Sequence, residues 1–322
     1  MPLLHSAFYR FVPLAQPVAA ADTVRRLAQG LQGSVVLAAE GISGAVAGAP
    51  EVIAAFEHAL QQPDVLDGAL RGMAFKHSAC ASPPFGRLKV SVKPELVALG
   101  WQGALGVPGP APSASMTRAT PGVAAGAPDE PPHLPIDEHD ASHLSPQAWR
   151  AMLALGDAVV LDNRNHFEFR LGHFRGAVDP QVHNFRDFEA WVQAQVPAWR
   201  AAGRPVAMYC TGGIRCEKTA PWLRSLGLQV WQLQGGVLNY FQHINNVESE
   251  RLGHVPDDPH DDPQGGLRDA WQGECFVFDK RIALDTHLQE TATTALQVYD
   301  PAHPDEAWRL ERARRLDGAD GA

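Results

Sequence analysis

From residue 101 to about 135 the chain consists mainly of Pro, Gly, Ala and Ser, with no helical or strand period. Such a stretch offers no amphipathic face. It reads as a flexible linker, residues 101–140, and it forces the apolar residues on either side into separate cores. At roughly 100–200 residues per domain, a chain of 322 residues has room for two. Hydrophobic residues make up 45% and charged residues 20%, enough to build both cores, which excludes a disordered chain or a collagen-like repeat. The expected organisation is a domain over 1–100, the linker, a second domain over 141–245, and an irregular C-terminal extension over 246–322.

In the first domain, residues 6–13 alternate and carry aromatics, the pattern of a strand. Val24, Leu27 and Leu31 share one face of a helix begun at Pro17. Residues 34–40 are a β-rich apolar run. Gly41-Ile42-Ser43-Gly44 reads as a turn, with extended chain resuming at Ala45. Pro50 opens a second helix that runs to about Gln61, and Met73–Ala79 and Arg87–Val92 are further strands. The order β-α-β-β-α-β predicts a ferredoxin-like (acylphosphatase-like) α+β domain.

The second domain alternates strands and helices, which predicts an α/β domain with a central parallel sheet. Ser145 and Pro146 start a helix as N-cap and first helical residue. Buried strands follow at Ala158–Asp162, Pro205–Tyr209 and Val230–Leu233, with helices over Phe185–Val196, over Glu217–Leu226 and from Val237. Ligands of such sheets bind at the carboxyl ends of the strands, and Cys210 stands at one of these ends.

Cys210 leaves its strand, crosses the Gly-rich loop Thr211-Gly212-Gly213-Ile214-Arg215-Cys216 and enters a helix. Glycines let the loop curl until successive backbone N–H groups point at the sulfur. The helix N-terminus and Arg215 add positive potential, so the loop favours thiolate over thiol and makes Cys210 a nucleophile rather than a merely buried Cys. Arg215 is five positions after Cys210, one fewer than in cysteine phosphatases, and the smaller cradle suits a cargo such as the terminal sulfur of a persulfide.

These residues resemble a family. The Cys210–Cys216 loop, Asp162-x-Arg164, Glu168, Leu171-Gly172-His173-Phe174-x-Gly176-Ala177 and the Gly235-Gly236 pair look like a rhodanese domain. Ala39-Glu40-Gly41-Ile42-Ser43-Gly44, Pro84-Phe85 with Arg87-Leu88-Lys89-Val90, Phe185-Arg186-Asp187-Phe188 and Gly273-Glu274-Cys275-Phe276-Val277-Phe278-Asp279 resemble one rhodanese subfamily, the oxygen-dependent tRNA uridine hydroxylases. The acidic loop Asp257–Pro263 and a tail without Cys depart from its pattern. The resemblance implies 5-hydroxylation of wobble uridine 34, tRNA as partner, molecular oxygen as co-substrate, and Cys210 and Arg215 as catalytic residues supported by Thr211, Gly212, Gly213, Ile214 and Cys216. A rhodanese sulfurtransferase, fed by a persulfide donor and working through a Cys210 persulfide, is the alternative enzyme. A non-catalytic module binding RNA or a partner is the third reading.

Other groups are open to two readings. Cys216 either resolves a persulfide as a disulfide or packs beneath the loop. Cys80 and Cys275 read as structural. Arg87, Lys89 and Lys93 share one face of an alternating strand and either contact tRNA phosphates or form an ordinary solvated face. The basic helix from Trp308 to Leu316 is a second candidate for RNA contact. His254 and His260 sit in an Asp-rich loop that reads as solvated rather than metal-binding, His173 reads as structural, and Asp162 and Arg164 as a pair that fixes the loop. No flavin, haem, iron or C-x-x-C zinc motif is found. The formal charge of −9 is acidic overall, but the excess lies in 101–140 and 251–322, so both domains are near neutral and a basic cleft is compatible with it. Four Cys in such a length do not make a disulfide framework, and no signal peptide or run of about 18 apolar residues is present. A cytoplasmic protein without a membrane partner is expected.

Overall fold

The computed structural model describes residues 3–100, 142–252 and 270–318. The linker, the Asp257–Pro263 loop, His254 and His260 lie outside the described residues.

The N-terminal domain runs β1 (Leu3–Phe11), α1 (Pro17–Leu27), β2 (Gln32–Ala38), β3 (Gly41–Gly48), α2 (Pro50–Leu60), β4 (Phe75–Cys80) and β5 (Leu88–Val92). The strands lie in the order β4-β1-β3-β2-β5; β5 runs parallel to β2 and the other pairs are antiparallel. The first four are the split β-α-β arrangement of a ferredoxin-like fold, with β5 added at the edge. Strand alternation sends Phe8, Val35, Phe75, Leu88 and Val90 towards Val24, Ile53 and Phe56 on the helices, forming one core. The opposite sheet face carries the row Lys76, Ala7, Ala45, Ser34 and Lys89 across all five strands. That face is open to a neighbour.

The expected turn at Gly41–Gly44 is instead strand. The hairpin turns at Ala39-Glu40, and Ala38 pairs with Gly41. Gly41, at φ +139°, is required by close approach: a Cβ there would come within 2.0 Å of the Arg10 carbonyl oxygen. α1 ends at Leu27 rather than Leu31, because the chain reverses through Gly30 at φ +84°.

The second domain contains β6 (His143–Leu144), α3 (Pro146–Leu155), β7 (Val159–Asp162), α4 (His166–Leu171), β8 (Gly172–Phe174), α5 (Phe188–Ala202), β9 (Val206–Tyr209), α6 (Ile214–Ser225), β10 (Val230–Leu233) and α7 (Gly236–Leu252). β6-β10-β9-β7 form the parallel sheet. Trp149, Phe174, Tyr240 and Phe241 are buried on one side of it, and Leu161, Phe188, Val192 and Leu223 on the other. Ser145 caps α3, accepting from the Ala148 amide at 3.2 Å, with Pro146 at its first position.

The extension is not irregular between 270 and 318. β11 (Trp271–Gly273) pairs antiparallel with β8, and β12 (Cys275–Phe276) pairs with β13 (Ala283–Leu284). Then follow α8 (Ala295–Val298) and α9 (Pro304–Gly318). Phe167 of α4 packs with Phe276, Val298, Tyr299 and Leu310, so the extension closes over the second domain. Strands of two and three residues are too short to show a period, which is why the pattern reads as irregular.

Candidate active site

β9 delivers Cys210 to the carboxyl edge of the parallel sheet, where its side chain is fully buried. The Gly213 amide donates to its sulfur at 3.1 Å. Burial pushes the Cys210 thiol up, but the hydrogen bond from the Cys216 thiol, the Arg215 charge and the amides of Cys216 and Arg215 outweigh it, and the group falls from its ordinary value to about 6. These surroundings favour thiolate over thiol. Cys216, buried below, is pushed well up, first by burial and then by its bond to Cys210, and remains the protonated donor. Asn163 supports it from just beyond β7, donating from Nδ2 to Thr219 Oγ1 at 2.7 Å and to Cys216 Sγ at 3.5 Å. Both cysteines therefore belong to one site. Cys275, pushed up to about 12 by burial, feels the charges of Arg164 and Glu168, and Cys80, also raised first by burial, feels that of Arg281.

Arg215 does not turn its hydrogen bonds onto the sulfur. It donates from Nη1 and Nη2 to the buried Glu168 carboxylate at 2.7 and 2.8 Å, with Phe185 and Phe278 flanking its guanidinium. α6 begins at Ile214, three residues ahead of the expected Glu217, so Arg215 sits in the first turn and acts on Cys210 through its charge and its backbone amide. Glu168 is held in turn by the Asn165 amide at 3.1 Å and by Thr211 Oγ1 at 3.3 Å. Thr211 thus braces Glu168 rather than the sulfur. Gly212 offers its carbonyl outward, as described below. Under the loop, Arg164 and Asp162 form the expected pair, buried and bidentate at 2.8 and 2.6 Å, and Tyr209 donates to Asp162 at 2.6 Å. His173 lies beside Phe169, its Nδ1 at 3.0 Å from the Phe169 carbonyl, in a structural role.

α7 closes the loop from behind. The Val237 amide donates to the Cys210 carbonyl at 3.0 Å and the Leu238 amide to the Thr211 carbonyl at 3.2 Å. Gly236, at φ +74°, makes this docking possible, since a Cβ would lie 2.5 Å from the Cys210 carbonyl oxygen.

The open face of the N-terminal sheet covers the loop. Lys76 of β4 donates to the Gly212 carbonyl at 2.6 Å and to the Gly235 carbonyl at 3.1 Å. Tyr9 of β1 donates to Glu217 at 3.4 Å. Lys218 of α6, fully buried, is gripped by Glu40 at 2.9 Å, by the Val97 carbonyl at 2.9 Å, and by Glu95. Sequence patterning misses these partners. Lys76 alternates with the core residue Phe75, which announces an outward side chain and nothing about what lies outside.

Arg87, Lys89 and Lys93 point away from Leu88 and Val90 and are exposed. With Arg25 of α1, Arg87 and Lys89 line an open hollow. Burial, then Lys89 and Arg312 of α9, push the Lys93 ammonium down, so β5 and α9 bring positive charge together. Arg309, by contrast, is turned inward over Phe167 and donates to Asn184 at 3.2 Å. The Arg315 side chain lies outside the described residues.

Fold and loop together define a rhodanese-domain enzyme whose partner domain is acylphosphatase-like. Residues 4–96 match the UPF0176 acylphosphatase like domain, and residues 145–243 match the rhodanese-like domain. A tRNA uridine(34) hydroxylase of Nitrobacter winogradskyi is 36% identical over 304 residues, covering 94% of this chain and 98% of that protein. Those of Synechococcus elongatus and Bradyrhizobium diazoefficiens are 37% and 35% identical, covering 90% and 88% of this chain and 88% and 92% of theirs. The chain belongs to the tRNA uridine(34) hydroxylase family. Among the described residues no helix is long and apolar enough to cross a membrane.

Proposed function

We propose that this protein hydroxylates uridine 34 of tRNA at C5, with molecular oxygen as co-substrate and Cys210 as the reactive thiolate. The carrying observation is the fully buried Cys210, its sulfur accepting from the Gly213 amide, placed at the seam between a rhodanese loop and the open face of a second domain. Glu168-bound Arg215 and the amides of Gly213 and Cys216 hold the negative charge of the sulfur. Gly212, Ile214 and Thr211 shape the loop. Position 34 lies in a single-stranded loop, whose bases can be splayed out and read singly. The exposed face of Arg87, Lys89 and Lys93, extended by Arg312, supplies cations for the neighbouring phosphates. With the domains docked the sulfur is covered, so the base enters by parting the seam.

The relatives' names favour this reading over a sulfurtransferase that passes sulfur through a Cys210 persulfide. Nucleoside mass spectrometry of tRNA from a deletion strain separates the two. Loss of 5-hydroxyuridine and its derivatives, restored by the wild-type gene and not by Cys210→Ser, is expected; loss of a thiolated nucleoside instead overturns the hydroxylase reading.

A further inference from the structure

The N-terminal domain does more at this site than cover it. Lys76 reaches across the seam, and both its hydrogen-bond partners are carbonyls rather than carboxylates. Gly212 is two residues beyond Cys210, and Gly235 precedes the glycine that packs on the Cys210 carbonyl. The two carbonyls therefore belong to the two loops that enclose the sulfur. The Tyr9 hydroxyl lies 2.9 Å from where a Cβ on Gly213 would stand, and Gly213 is the residue whose amide binds the sulfur. The Lys76 ammonium lies over the Tyr9 ring, 5.3 Å from its centroid. A half-buried cation is thus fixed by neutral partners on the loops beside a buried sulfur, close enough for the charge of Cys210 to act on it.

We propose that Lys76 is a positioning residue that supplies the counter-charge of the Cys210 thiolate from the other domain, so the nucleophile is complete only when the domains are docked. The inference rests on the reading of Cys210 as the reactive thiolate and is independent of which base is modified.

The groups facing the sulfur are few. Cys216 and Arg215 come from α6, with Glu168 behind Arg215; Tyr9 and Lys76 come from the N-terminal sheet; Glu217 lies beside both. Burial pushes the Lys76 ammonium down, while the charges of Cys210 and Glu217 pull it back up. Mutual stabilisation requires that each charge fall if the other is removed.

The test is a titration of the Cys210 thiolate by ultraviolet absorbance in the full chain without tRNA, with Cys210→Ser as the blank. Lys76→Met should raise the midpoint from about 6 by about one pH unit, the size expected for losing one close opposite charge. Lys76→Gln keeps a donor for the carbonyls but no charge, should shift the midpoint equally, and serves if the Met variant does not fold. Lys76→Arg should keep the midpoint low. Lys218→Met loosens the same seam at Glu40 and Glu95 without touching the sulfur, and should raise the midpoint only as far as it undocks Lys76 from the loop. A folded neutral variant with an unchanged midpoint overturns the proposal, as does an equal shift in Lys76→Arg. Because no tRNA is present, these outcomes stand apart from success or failure of the hydroxylase reading.

Discussion

Gly236 and Gly212 both lie at the active loop, yet the geometry assigns them opposite tolerances. An alanine at 236 would place its Cβ 2.5 Å from the Cys210 carbonyl oxygen, 2.7 Å from that of Thr211 and 2.8 Å from the Gly213 nitrogen. All three are backbone atoms, so no side chain can rotate away. Relief requires the loop to move by about 0.5–1 Å, which breaks the bonds from the Val237 and Leu238 amides, worth about 1 kcal/mol each. Holding a non-glycine residue at φ +74° adds about 1–2 kcal/mol. Gly236→Ala should therefore lose about 3–4 kcal/mol, or roughly 6–15 °C in Tm for a protein of this class. Misplacing the nucleophile by such a distance costs about a hundredfold in rate. A Cβ on Gly212 meets nothing within 4 Å, so Gly212→Ala should keep its Tm and its Cys210 titration. Differential scanning calorimetry and hydroxylation of unmodified tRNA read the two effects. Equal behaviour of the two variants, in either direction, would refute the reasoning.

Cys210→Ser should abolish hydroxylation, while Cys216→Ser should weaken it and alter the Cys210 midpoint, because one side chain carries the charge and the other donates to it; complete loss in both would instead point to a disulfide step. The thiolate exists above its midpoint of about 6, so the pH–rate profile should fall about tenfold per unit below that point and level off above it; a profile that falls with rising pH contradicts the assignment. Reversing charge at Arg87 and Lys89 should weaken tRNA binding and lower its salt slope by about one per lost phosphate contact, with the Cys210 titration unchanged; normal binding at two salt concentrations would move the RNA site elsewhere. The buried Glu306 accepts from Arg170 at 2.7 Å, His183 at 2.8 Å and the Asp300 amide at 2.7 Å, so Glu306→Ala should cost about 2 kcal/mol at the extension and speed amide exchange in α9; unchanged protection there would mean the helix is held by other contacts such as Arg309 and Leu310.

Local chemistry made much of the protein legible from its residues. Glycines before a helix, a Cys at a strand end and an Arg five residues on are contiguous in the chain, so the thiolate cradle could be read without a fold. The same holds for the Ser145 cap, the alternation of β5 and the Asp162–Arg164 pair, each spanning three residues or a few more. Hydrophobic periodicity could not say what lies beyond an outward-facing side chain. It placed Lys76 in a strand but not the Gly212 carbonyl 136 residues away against it, and it put Glu40 at the end of a β-rich run but not Lys218 against it. Arg215 was found by spacing, whereas its pairing with Glu168 depended on α4 and α6 arriving side by side. Packing of separate elements joins charges distant in sequence. For that reason tertiary structure alone decided that Cys210 is covered by the other domain, that Thr211 braces Glu168 rather than the sulfur, and that residues 270–318 fold back over Phe167.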